Sequence, residues 1–146
     1  MPQDLQQAID TVVRVEARHP GALLPRKANP TDACHDLFIP EEAVVPARGT
    51  AILDLGIGVQ LEPGWEMQIR GRSGLATRGF VVHPGTLDHL YRENVKLIVF
   101  NHTDQEMRFE PGQRLAQMKI ERVWNVDVVE APVERTTRGG LGSTGQ

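Results

Sequence analysis

The stretch "GTAILDLGIGVQLEPGWEMQIRG", residues 49–71, decides how this chain folds. Apolar residues alternate with polar or small ones through 49–61 and again through 65–71, and Glu62-Pro63-Gly64 separates the two runs. Period-two alternation bounded by Pro and Gly is the pattern of half-buried β-strands. Runs of the same kind lie on either side: "TVVRVEA" at 11–17, "VKLIVFN" at 95–101 and "MRFEP" at 107–111. Gly and Pro recur every several residues from Pro20 to Gly112. Many short strands joined by turns predict a mainly β sandwich, barrel or jelly roll, and not βαβ units. Helical character is confined to "PQDLQQAID" at 2–10 and "RSGLATRG" at 72–79, where Ser73 is placed to cap a single turn.

A chain of 146 residues has room for one core and no second catalytic domain. No apolar run approaches the ~18–20 residues of a membrane span, and the N-terminus lacks the basic-then-apolar order of a signal peptide. A cytoplasmic protein is expected. With one cysteine, Cys34, there is neither an internal disulfide nor a thiolate metal site, and the expected role of Cys34 is that of a small buried apolar residue. The formal net charge of -3 speaks against non-specific nucleic-acid binding, so any anion must be held by local basic groups. His35, His83, His89 and His102 have no ligand spacing that suggests a metal site.

Three polar elements stand out. "RGRSGLATRG" clusters Arg70, Arg72 and Arg78 around Ser73 and Gly74, groups that favour phosphate, although three arginines beside a turn are more often a solvated face. "EPGQRLAQM" sets Gln113, Arg114 and Gln117 around an apolar pair, and alone reads only as a turn followed by a strand. The end, "ERTTRGGLGSTGQ", combines Arg135 and Arg138 with closely spaced glycines and the hydroxyls of Ser143 and Thr144. Such a segment cannot bury enough surface to order itself, so it is expected to be mobile, and its backbone amides suit an anion-binding lid. Three segments follow: an N-terminal extension at 1–11, a β domain at 12–132 and a flexible Gly-rich arm at 133–146.

In order, "DACHDL", "GRSGLA", "PGTLDHLY", "PGQRLAQM" and "RGGLGSTG" resemble the five motifs of the trimeric dUTPase family, over roughly Val12 to Gln146. The resemblance extends to "ARHPGALLPRKANPTDACHDL", like the family's entry strand, and to "LDLGIGVQLEPGWEMQIRGRSGLA", like its central hairpin. It implies a jelly-roll-like β-barrel, the β-clip of that family, in a homotrimer whose active sites lie at subunit interfaces under a neighbour's arm. The implied reaction is Mg²⁺-assisted hydrolysis of dUTP to dUMP and pyrophosphate by water attacking the α-phosphorus, which keeps uracil out of DNA and supplies dUMP.

The same resemblance assigns roles. Asp88 falls on the water-activating carboxylate, a role worth about 10²–10⁴-fold. With an ordinary carboxylate pKa near ~3.9, positioning must matter more than basicity. Tyr91 matches the tyrosine whose ring packs on the deoxyribose and leaves no space for a 2′-hydroxyl. Uracil would be read largely by the backbone of the hairpin Gly85, Thr86, Leu87 to Tyr91, with His83 nearby and Lys96 contacting substrate from the next strand. Arg72, Ser73 and Gly74 would hold the β- and γ-phosphates, Gln117 a phosphate oxygen, and Arg138, Leu141, Gly142, Ser143 and Thr144 of the arm would close the site. Asp36 would hold waters of a Mg²⁺ bound mainly by the triphosphate.

Departures from the motifs fall on base recognition. Cys34 replaces a glycine, Leu90 an acidic residue, Glu93 a glycine, and "GFVVHPG" is short and lacks an asparagine. Leu141 stands where the family has a phenylalanine stacking on uracil. The alternatives left are relaxed pyrimidine specificity, a nucleotide-binding or regulatory protein of the same fold, and a dCTP deaminase. The last is disfavoured because "VKLIVFN" lacks the glutamate such an enzyme needs.

Overall fold

The computed structural model describes residues 8–142, and within them the chain is almost entirely strand and turn. Ten strands form: β1 (Arg14–Ala17), β2 (His35–Phe38), β3 (Ala43–Val45), β4 (Thr50–Gln60), β5 (Trp65–Gly71), β6 (Phe80–Val82), β7 (Gly85–Leu87), β8 (Asn94–Asn101), β9 (Met107–Phe109) and β10 (Arg114–Arg122). The only helix among them is one turn, α1 (Ser73–Ala76). Every pairing is antiparallel, in two four-stranded sheets of order β1-β4-β8-β6 and β2-β10-β5-β7 and a two-stranded sheet of β3 and β9. This is the expected mainly β, jelly-roll-like arrangement.

One core cluster draws on all three sheets, with Ile57 and Val59 of β4, Val95, Leu97 and Val99 of β8, Met67 and Ile69 of β5, Met118 of β10 and Phe109 of β9. β8 shows the period-two rule plainly: Val95, Leu97 and Val99 are buried while Lys96 and Ile98 are exposed. β4 obeys it only up to Asp54, after which Leu55 to Val59 are all buried. A bulge explains the change, because the three residues between Asp54 and Gly58 on β4 oppose one, Val95, between Lys96 and Asn94 on β8. Gly56 at φ 66 permits that geometry, and a side chain there would meet His19 Cβ at 2.5 Å.

Residues 49–71 do not form a hairpin. β4 is flanked by β1 and β8 and β5 by β10 and β7, so neither has a free edge for the other, and the turn at Glu62–Trp65 carries the chain from one sheet to the other. Gly85 to Tyr91 likewise is a strand followed by a turn: β7 pairs with β5, the Tyr91 amide donates to the Asp88 carbonyl (3.0 Å), and the chain then crosses to β8 in the opposite sheet.

Ser73 does not cap α1. Arg72 occupies the N-cap position and no side chain bonds there; Ser73 is the first helical residue, which leaves its hydroxyl free of the helix terminus. Of the second expected helix, residues 2–7 lie outside the described residues and 8–10 have no regular structure. The last strand ends at Arg122, and 123–142 run without regular structure.

Candidate functional site

The residues expected to bind phosphate converge on an open cleft of ≈ 540 Å³ at the end of the second sheet where β5 passes into α1. Gln117 on β10 is in register with Asp36 on β2 and with Arg70 on β5, and Gln117 and Asp36 both line the cleft. Arg72, Ser73 and Gly74 leave β5 at the cleft's edge, and Arg114 and Asp36 line the opposite wall. The Gln117 amide nitrogen donates to the Gly71 carbonyl (3.0 Å), and the residue lines the cleft. Arg72 Nη1 donates to the Arg114 carbonyl (3.3 Å).

Asp36 is mostly buried, its side chain 17% exposed, and it accepts from Arg114 Nη1 at 3.2 Å. Arg114 was not singled out as a site residue from sequence. Its neighbour Gln117 carried the motif, and a strand's first residue, paired with Phe38, gave no sign that its side chain would reach Asp36 two residues along β2. Asn29 and Asp32 were also missed, although "ANPTDA" carries an Asn-Pro turn signal; there the Asn29 amide donates to Asp32 Oδ2 (2.9 Å), and both residues line the cleft. Cys34 is a correction. It is half-buried and lines the cleft wall rather than the core, because β2 begins only at His35 and the residues before it skirt the sheet's end. The adjacent His35 has its pKa lowered, chiefly by burial and secondarily by the Lys27 charge, with Asp36 opposing.

The second group of expected residues lies elsewhere. Gly85, Thr86 and Leu87 pair with Ile69, Gln68 and Met67, so continuing the register sets Asp88 beside Glu66, at the far end of β5 from Arg72. Six residues of strand at ~3.3 Å each put the two about 20 Å apart. Asp88 is exposed, and among the described residues its carboxylate has no hydrogen-bond or ion-pair partner. Tyr91 is half-buried against the core, and its hydroxyl donates to the Asn94 carbonyl (2.8 Å). His83 and Lys96 are exposed, Lys96 opposite Asp54 on β4. In a single copy of the chain the two groups of expected residues therefore lie apart.

The arm joins neither. All described residues from Arg122 to Gly142 are exposed, including Arg138, Gly142 and Leu141, and Ser143 and Thr144 lie outside the described residues. Among the described residues no group of three His, Cys, Asp or Glu is placed to hold a metal ion.

The dUTPase family model matches residues 21–145. The chain belongs to the dUTPase family. Deoxyuridine 5'-triphosphate nucleotidohydrolases similar to it come from Hydrogenobaculum sp. (43% identical, covering 85% of this chain and 91% of that protein) and Clostridium acetobutylicum (41%, covering 86% and 90%). One from Helicobacter pylori is 34% identical over 91% of this chain and 96% of its own. Among solved dUTPase structures, that of Staphylococcus bacteriophage 80alpha with dUPNHPP superimposes with a TM-score of 0.82 at 22% identity, covering 92% of this chain and 98% of that one. A mutant dUTPase from phage phi11 of S. aureus, described with a structural Mg(II) ion, gives 0.76 at 20% identity over 82% and 96%. At these identities the structural matches speak to the dUTPase fold.

Proposed function

We propose that this chain hydrolyses dUTP to dUMP and pyrophosphate at sites assembled between the subunits of a homotrimer. The observation that carries this reading is the ~20 Å of β5 between Asp88 and Arg72, within a family whose named members are dUTP nucleotidohydrolases. Water attacking the α-phosphorus must lie within ~3–3.5 Å of it. A triphosphate is far shorter than β5, so the carboxylate of one copy and the phosphate cleft of another must face the same nucleotide. Closed symmetry repeats that contact at each interface. Further support comes from 123–133, where Trp124, Val126 and Val128 alternate with polar residues and are 77%, 71% and 89% exposed. A fully exposed apolar stripe leading into the arm is the kind of surface a second copy covers.

In this reading Arg72, Ser73 and Gly74 hold the terminal phosphates, with Gln117 on a further oxygen. Asp88 accepts a proton from the attacking water as the new P–O bond forms and the bond to pyrophosphate breaks. The residues fit magnesium bound chiefly by the triphosphate: Asp36 would hold waters of the ion, and Asp32 lies along the same wall. Bound there, the ion neutralises charge on the phosphates. No helix of the described residues is long and apolar enough to cross a membrane, and we place the enzyme in the cytoplasm. Pyrophosphate release from a panel of deoxynucleotides, with ammonia followed in parallel and solution mass measured, tests the whole reading. Ammonia release, or a monomer with full activity, overturns it.

Two consequences concern selectivity. Tyr91→Ala should relax rejection of UTP, because it removes a half-buried ring that would bar a 2′-hydroxyl. The ratio of kcat/KM for dUTP over UTP checks this, and an unchanged ratio means that the sugar is read elsewhere. Leu141→Phe should lower KM for dUTP several-fold, since stacking on a base is worth about 1–3 kcal/mol and leucine recovers only part of it. Equal kinetics for the wild type, Leu141→Phe and Leu141→Ala would confine the arm to the phosphates. A relaxed pyrimidine preference is the second reading, and the exposed, non-aromatic Leu141 is what favours it.

A further inference from the structure

Arg18 and Asp54 lie outside all five motifs, yet they converge on the loop that carries Tyr91. At the start of the β4 bulge the Asp54 carboxylate accepts from the Gly56 amide (2.8 Å) and from Asn94 Nδ2 (3.1 and 3.2 Å). Arg18 approaches the same asparagine from the other side: Nη1 donates to Asn94 Oδ1 (3.0 Å) and to the Arg92 carbonyl (2.8 Å). Its own backbone is fixed, with the Arg18 amide donating to the Gly56 carbonyl at 2.7 Å. The chain of contacts then ends on the ring, because the Tyr91 hydroxyl donates to the carbonyl of Asn94.

Gly58 makes the reach possible. The guanidinium lies across the face of β4 at that residue, and a Cβ on Gly58 would sit 2.3–2.6 Å from its carbon and two terminal nitrogens. Both acceptors on the loop take the one nitrogen Nη1, which is set in place by the guanidinium plane lying on Gly58, and a lysine ammonium has no such plane to lie there.

We propose that Arg18, acting through Asn94 and Asp54, is a positioning residue that holds the Tyr91 ring at the angle from which it rejects a 2′-hydroxyl. This rests on the reading of Tyr91 as the wall beside the sugar. A steric wall discriminates only if it does not yield. The loop from Asp88 to Asn94 is a crossing between sheets with exposed residues at Asp88, Leu90, Arg92 and Glu93, so its own packing does little to stop the ring from pivoting. The clamp supplies that resistance from β1 and β4, which belong to the sheet facing away from the phosphate cleft.

Tyr91 is the chain's only tyrosine, so 3-fluorotyrosine incorporation gives one ¹⁹F resonance that reports on this ring alone. Wild type, Arg18→Ala, Arg18→Lys and Gly58→Ala are compared, with Glu16→Ala as the control that removes only the exposed ion pair to Arg18. The resonance should shift or broaden in Arg18→Ala and Gly58→Ala, and the dUTP-to-UTP ratio of kcat/KM should fall at least fivefold, mainly through a lower KM for UTP. Arg18→Lys should not restore it, and Glu16→Ala should match wild type in both readouts. A lowered melting temperature with the resonance and the ratio unchanged would make the network structural only and overturn the proposal. So would an unchanged ratio in Arg18→Ala while Tyr91→Ala relaxes it. If Tyr91→Ala itself leaves the ratio unchanged, the wall reading is lost instead, and the ¹⁹F result alone decides whether Arg18 holds the ring.

Discussion

Asp88→Asn is expected to lower kcat by about 10²–10⁴-fold, the worth of a positioned proton acceptor, while nucleotide binding stays within a few-fold of wild type. The structure makes this a clean substitution. The turn after β7 is closed by main chain, with the Tyr91 amide on the Asp88 carbonyl, so the side chain is not needed to form it. No partner among the described residues holds the carboxylate, and asparagine matches it in shape while losing the capacity to take a proton. Exposure in the isolated chain also means that another surface must exclude bulk solvent during the reaction, in line with a site completed by a second copy. Single-turnover pyrophosphate release beside titration with a non-hydrolysable analogue separates the two effects. Turnover within a few-fold of wild type would remove Asp88 from the role of base.

What the sequence could show was set by the range of each interaction. Strand residues 65–71 and 95–101 alternate because one face of a pleated sheet meets the core and the other meets solvent, a local rule that needs no knowledge of partners. Pairing is different. Both 49–71 and 85–91 look like hairpins when only adjacent runs are considered, but both edges of β4 and of β5 are taken by other strands and β7 pairs back onto β5, and sequence spacing carries no trace of that. The continuous burial of Leu55 to Val59 was hidden for the same reason, since Gly56 and Gly58 read as weak strand residues until the bulge gives them a purpose.

Site residues divide along the same line. Arg72, Ser73 and Gly74 are contiguous, and their chemistry is visible in four letters of sequence. Arg114 becomes a site residue only because β10 pairs with β2 and puts it on Asp36, 78 residues away. Cys34 was misplaced because a small apolar type is usually buried, and nothing in "DACHDL" says that β2 starts one residue later. Arg18 is the extreme case, an ordinary basic residue at the end of β1 whose partners are 74 and 76 positions further on.

Truncation after Val133 should cost about 10²-fold or more in kcat/KM for dUTP, because it removes Arg135, Arg138 and the run of closely spaced amides that would orient and enclose the phosphates. The hydrogen bond recorded within the described part of the arm is internal, from the Arg138 amide to Thr136 Oγ1 (3.3 Å), and every described residue from Val133 onward is exposed. An arm that serves a neighbour's site gives truncation a distinctive genetic signature. Subunits carrying Asp88→Asn keep their arms, truncated subunits keep Asp88, and neither forms a complete site with copies of itself. Mixed trimers do. If arm and carboxylate come from different subunits, random exchange at equal concentrations gives a working combination at about a quarter of the sites, set by the closed symmetry. Activity of that order should appear on mixing two nearly inactive preparations, follow the time course of subunit exchange, and vanish when exchange is blocked by cross-linking. No recovery despite exchange confirmed by mass would place arm and carboxylate on the same subunit, and the separation along β5 would then have to be bridged by the phosphate cleft alone.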